Sequence, residues 1–194
     1  LSSVGAYTKR MRQAAPGKPV WMVLQGFGWG DERTNLPAEI RKEIPRPTLK
    51  ETRFMAYDAI VRGARGISYF GTGYIEKDSQ LWKDILTIVR ELADLQPVLS
   101  AKDAKVKLSI DVEQAFSSLD RTIQILPKQV GTEIWIIVVN ENRNPLAYNI
   151  NRLNSLNGVT YVDTISGKQA KVANGGLRFP IGGQRVQVLK PLSR

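Results

Sequence analysis

The sequence predicts an α/β segment followed by an all-β segment, with the change of regime near residue 100. Three observations carry this. Up to Leu99, helical periodicities alternate with two short runs, Pro19 to Gln25 and Gly66 to Phe70. The first is nearly uniformly apolar, as a strand buried on both faces is expected to be. The stretch between the runs is long enough to hold a helix, which parallel pairing requires. Beyond Ser100 the periodicity shortens to two and turn dipeptides recur at Asn157-Gly158, Ser166-Gly167 and Gly182-Gly183. The expected domains are therefore 1–100 and 101–194.

Each element has its own signal. Ser2 and Ser3 can cap a helix with apolar positions at Tyr7, Met11 and Ala14, ended by Pro16 and Gly17. The run to Gln25 leads into Gly26, Gly28 and Gly30, interleaved with Phe27 and Trp29, which make a loop. From Asp31 to Pro47 the chain reads as one long charged loop, with Pro37, Pro45 and Pro47 along it. Loops of that length usually carry function. Thr48 and Glu51 have capping-box spacing. Their helix runs through Phe54, Met55, Ala59 and Val61, and Gly63 follows at the C′ position. After the strand ending at Phe70, Gly71 to Tyr74 form a loop. Asp78 or Ser79 caps a third helix with Leu81, Ile85, Ile88 and Leu92 on one face, and Pro97 stops it.

In the second segment, strands are expected at 106–111, 122–126, 134–139, 148–153, 159–162, 171–173, 177–179 and 185–189. Asn140 to Pro145 is turn chemistry. Seven or eight short strands at fairly even spacing point to an antiparallel β-sandwich.

Composition removes several chemistries. The 194 residues include no His and no Cys, which excludes imidazole- or thiolate-based catalysis and metal sites of those ligands. No cofactor or metal is expected. The glycines after Gln25 do not form a phosphate loop, because no helix N-terminus follows them directly. No apolar run approaches the length of a membrane span. The net charge of +10 raises the question of nucleic acid. It is spread through the chain, with 15 basic against 11 acidic residues up to residue 100 and 13 against 7 after it. With no basic run longer than two residues, a solvated basic surface is the better reading.

Three stretches carry a family resemblance: Lys18 to Gln25 (KPVWMVLQ), Pro47 to Tyr57 (PTLKETRFMAY) and Gly63 to Phe70 (GARGISYF). Together they resemble the end of the catalytic barrel in clan-A-like glycoside hydrolases, where a helix closes on a Gly-Ala-x-Gly corner and feeds strand eight. The resemblance covers about the first half of the chain. It implies that the two strands are strands seven and eight of a (β/α)8 barrel, followed by an accessory β-sandwich. It also implies a carbohydrate ligand. Strands one to six would then come from elsewhere, so a companion chain or second copy is expected to complete the sheet.

Glycoside hydrolysis uses two carboxylates. In the resembled enzymes the nucleophile Glu ends strand seven, where this chain has Gln25. An amide cannot serve as that nucleophile, but it can bond sugar hydroxyls or tie the loop. Asp31 and Glu32 are the carboxylates nearest in sequence and the candidates for catalysis. Trp29 and Tyr69 are the aromatics expected to stack on a sugar ring, with core packing the alternative for each. Trp21, Phe70, Trp82 and Trp135 are read as packing residues. Arg46 and Arg53 could bind a carboxylate or phosphate, or be solvated.

Overall fold

The structure, a computed structural model, describes residues 1, 3–33, 35–113 and 123–192. Within it the chain divides into two compact units between Leu95 and Gln96. Secondary structure is mixed, with β-strands predominating after the division.

The first unit contains α1 (Ser3–Ala14), β1 (Trp21–Gln25), α2 (Trp29–Glu32), α3 (Ala38–Glu43), α4 (Leu49–Val61), β2 (Gly66–Phe70) and α5 (Gln80–Asp94). Ser3 is already helical and Ser2 lies outside the described residues. The buried Asp58 of α4 accepts the Gly5 N–H at 2.7 Å, placing a carboxylate at the positive end of α1. Gly5 admits that approach, since a Cβ there would stand 2.5 Å from Asp58.

Helix α4 begins with the Thr48–Glu51 capping box: Thr48 Oγ1 accepts from Glu51 N, and Glu51 accepts from Thr48 N. It buries Phe54, Met55, Ala56, Tyr57 and Ala59, and turns out at Gly63, whose φ is +97°. Ser79 caps α5 by accepting from Trp82 N. The long loop after β1 is not structureless, because α2 and α3 each contribute a short helical stretch.

β1 and β2 pair in parallel, with Trp21 opposite Gly66, Val23 opposite Ser68 and Gln25 opposite Phe70. Successive residues of a strand alternate between faces. Met22, Leu24, Ile67 and Tyr69 therefore share one face, and Leu24 is buried there. The other face is open, with Trp21 69%, Val23 63% and Phe70 59% exposed. This corrects the expectation that β1 is buried on both faces and that Trp21 and Phe70 pack. Gly66 fixes the phase: a Cβ there would fall 2.4 Å from the Trp21 ring, which lies across it.

The second unit holds α6 (Gln96–Leu99), β3 (Lys102–Asp103), β4 (Ser109–Val112), β5 (Ile123–Val130), β6 (Glu133–Asn140), β7 (Leu146–Asn151), β8 (Thr160–Asp163), β9 (Gln169–Lys171), β10 (Leu177–Ile181) and β11 (Val186–Pro191). Thr122, the expected start of one strand, lies outside the described residues. One sheet runs β3-β5-β6-β11-β8-β9 and the other β10-β7-β4, with every pairing antiparallel. Ile136, Val138 and Leu189 from the first sheet and Tyr148, Ile150 and Phe179 from the second belong to one apolar core.

Polar groups in this unit are held in place. Buried Lys128 pairs with Asp103 at 2.8 Å and donates to the Ala101 carbonyl. Asn140 donates to the carbonyls of Asn144 and Gly182, fixing the turn expected at Asn140 to Pro145. Trp135 lies partly exposed beside Lys190, its indole N–H donating to Glu133, so it is not a core residue.

Candidate functional site

The C-terminal ends of two parallel strands place four aromatic rings together. Phe27, two residues past β1, is buried and sits at the centre. Its ring meets Trp29 at 5.2 Å, Phe70 at 6.1 Å and Tyr74 at 5.8 Å, each edge to face. Those three outer rings are about half exposed. Edge-to-face packing is the favoured geometry for such rings, and it holds an open apolar surface in shape.

Trp29 is exposed beside this strand end. Tyr69 is not. It is on the opposite face of β2, packed against the cluster of Phe27, Ile75, Leu81 and Ile85. Its hydroxyl is buried without a hydrogen-bond partner among the described residues, and burial, aided by the nearby Glu91 charge, pushes its pKa up to about 12. Strand alternation gives the open position to Phe70 instead. Phe70 and Tyr74 are the site aromatics that sequence reasoning missed. The signal available for Phe70 was Gly66, the one residue of β2 that leaves room for Trp21.

Gln25 is half buried and donates through Nε2 to the Phe27 carbonyl at 2.8 Å. Its donor therefore ties the loop, and among the described residues its Oε1 has no hydrogen-bond partner. Asp31 is committed as well. It accepts the Gly28 N–H at 2.7 Å at the start of α2 and receives Arg46 through both Nε and Nη2. With its side chain only 12% exposed and its oxygens occupied, Asp31 is a structural anchor. Arg46 reaches Glu76 too, at 2.8 Å, and the bond to Asp31 holds its pKa above the usual value. Glu32, the next residue, is exposed.

Arg53 is likewise engaged. It pairs with Glu91 of α5 at 2.9 Å, and the Tyr57 hydroxyl donates to the same carboxylate at 2.7 Å. Burial and that charge push the Tyr57 pKa up strongly. This set joins α4 to α5 behind the sheet.

Beside the aromatic group, a cavity of about 450 Å³ is lined by α2, α3, the segment leading to Arg46, and Glu76. Among the described residues no cluster of acidic residues has a metal-holding arrangement. Nor is any described helix long and apolar enough to cross a membrane.

No protein-family model matches the chain, and no curated protein matches it. Solved structures do match in fold. An alpha-amylase from Geobacillus thermoleovorans, complexed with acarbose, aligns with a TM-score of 0.59 at 10% identity, over 99% of this chain and 42% of that one. A glycoside hydrolase family 5 structure from Bacteroides vulgatus gives 0.56 at 14% identity, over 99% and 45%. AmyP in complex with maltose gives 0.55 at 14% identity, over 93% and 42%. The chain spans less than half the length of these solved chains. The likeness is one of fold, and the fold is shared with glycoside hydrolases.

Proposed function

We propose that this chain is the closing part of a glycoside-hydrolase-like, carbohydrate-active protein. In this reading β1 and β2 are the last two strands of a (β/α)8 barrel, residues 1–100 are the barrel segment, and residues 101–194 are an accessory β-sandwich. The carrying observation is the exposed aromatic group of Trp29, Phe70 and Tyr74 at the C-terminal ends of two parallel strands. Barrel enzymes assemble their sites at that end, and aromatic rings present a face on which the C–H groups of a sugar pack. Gln25 Oε1 is available to accept from a sugar hydroxyl beside them. The open face of Trp21, Val23 and Phe70 supports a companion segment of polypeptide that covers it and completes the barrel.

A second reading, a non-catalytic glycan-binding part, is favoured by two observations. Gln25 stands where the resembled enzymes carry their nucleophile, and Asp31 is locked by Arg46. Within this chain Glu32 is then the remaining carboxylate candidate for acid–base work.

One experiment separates the readings. The assembled protein is titrated with oligosaccharides while Trp fluorescence is followed, and is assayed in parallel on aryl glycosides. Saccharide-dependent quenching that Trp29→Ala abolishes is expected. Turnover lost in Glu32→Gln would assign catalysis to this chain, and quenching without turnover would assign binding. Absence of both signals would overturn the carbohydrate reading.

A further inference from the structure

The cavity beside the aromatic group has an unbalanced lining. Arg41, Lys42 and Arg46 face Asp31 and Glu76. Both carboxylates are bonded to Arg46, and three cations against two carboxylates leave the lining one positive charge in excess. Arg41 Nε is buried and has no acceptor among the described residues. A buried N–H without a partner is uncommon, because burial removes water without replacing its bond. Among the described residues Arg46 Nη1 also makes no bond, since Asp31 and Glu76 use only Nε and Nη2.

The position is set by packing. A Cβ at Gly30 would fall 2.3 Å from the Arg41 carbonyl, so α2 and α3 touch there and hold Arg41 against the loop that carries Trp29. Glu76 stands two residues past Tyr74. The cavity and the aromatic group are therefore built from the same two strand-end loops.

We propose that this cavity receives the oxyanion of an acidic saccharide whose ring rests on the aromatic group. Arg41 Nε donates to the anion, Lys42 adds positive charge, and Arg46 donates through Nη1 while remaining on Asp31. An anion supplies the missing acceptor and offsets the surplus charge, and guanidinium suits it better than a point charge does. The inference rests on the carbohydrate reading above and narrows it to a substrate class. Carboxylate and phosphate share the required chemistry.

The test is calorimetric titration of the intact protein with a neutral trisaccharide, a uronic-acid trisaccharide, a sugar phosphate, and inorganic phosphate. The proposal expects at least one sugar-borne anion to bind about tenfold tighter than the neutral sugar at low salt. That preference falls as salt rises and is lost in Arg41→Gln and reduced in Lys42→Gln. Whichever of the uronide and the sugar phosphate binds tighter identifies the anion. Equal affinity for neutral and acidic sugars would overturn this inference and leave the carbohydrate reading standing. Binding of no sugar would overturn both. Inorganic phosphate binding as tightly as either acidic sugar would reduce the cavity to a bare anion site and overturn the saccharide assignment. Should Arg41→Gln not fold, the exposed Lys42→Gln decides: an unchanged acidic preference would overturn the proposal.

Discussion

The two units solve the same problem, hiding the apolar faces of β-strands, with opposite completeness. The β unit places Ile136, Val138 and Leu189 of one sheet in a common core with Tyr148, Ile150 and Phe179 of the other. Its strands find their neighbours within the unit. The α/β unit hides one face of its two strands beneath helices, leaving Trp21, Val23 and Phe70 open on the other. A two-stranded sheet is marginal alone. On the proposed reading the α/β unit depends on what covers that face, whereas the β unit does not.

The largest effect that can break this comparison is a core truncation in the β unit. Phe179→Ala is expected to destabilise that unit by about 3–5 kcal/mol, read by chemical denaturation through Trp135, its only tryptophan. A loss below ~1 kcal/mol would mean the two-sheet core does not hold the unit together. Next comes a pair of tyrosines in the α/β unit. Tyr57→Phe removes a buried donor to Glu91 and is expected to cost about 1.5–3 kcal/mol, as bonds to charged groups do. Tyr69→Phe removes a hydroxyl with no partner, so it leaves stability unchanged or slightly raises it.

The same contrast has a pH signature. Tyr69 keeps its proton in the folded chain to about 12, because burial, then the Glu91 charge, disfavours the phenolate. In the unfolded chain it ionises near its ordinary value of about 10. Its contribution to folding is thus fully present below pH ~10 and is lost as pH rises towards 12. Tyr161 in the β unit, also raised to about 12 mainly by burial, behaves alike. Tyr69→Phe should remove the alkaline loss it contributes in the α/β unit and spare that in the β unit, as seen by the separate tryptophans. The smallest effect is Trp21→Ala, expected within about 0.5 kcal/mol for the chain by itself. A large loss would mean that face is already covered.

Much of this was legible in the sequence, for reasons that also explain the rest. The Thr48–Glu51 box, Gly63 and the apolar face of α5 are local signals, and the structure honours them. The turn at Asn140 is local as well. Helices α2 and α3 are too short to show periodicity and sit among prolines, so they read as loop. For Tyr69 the sequence leaves stacking and core packing open, and the choice between them is one of phase. Gly-Ile-Ser-Tyr-Phe alternates whichever way it is faced, and only the Trp21 ring over Gly66, a contact between strands far apart in sequence, chooses. The pairing of Asp31 was not legible because its partner Arg46 is fifteen residues away, beyond α3. Arg41 gave no signal, since an arginine on a charged stretch looks solvated until the packing of α2 against α3 buries its Nε.

The central claim, that the α/β unit needs outside cover and the β unit does not, is tested most directly by light scattering on the folded protein. The account predicts a mass above that of one 194-residue chain. A single-chain mass, with both units unfolding cooperatively, would contradict it.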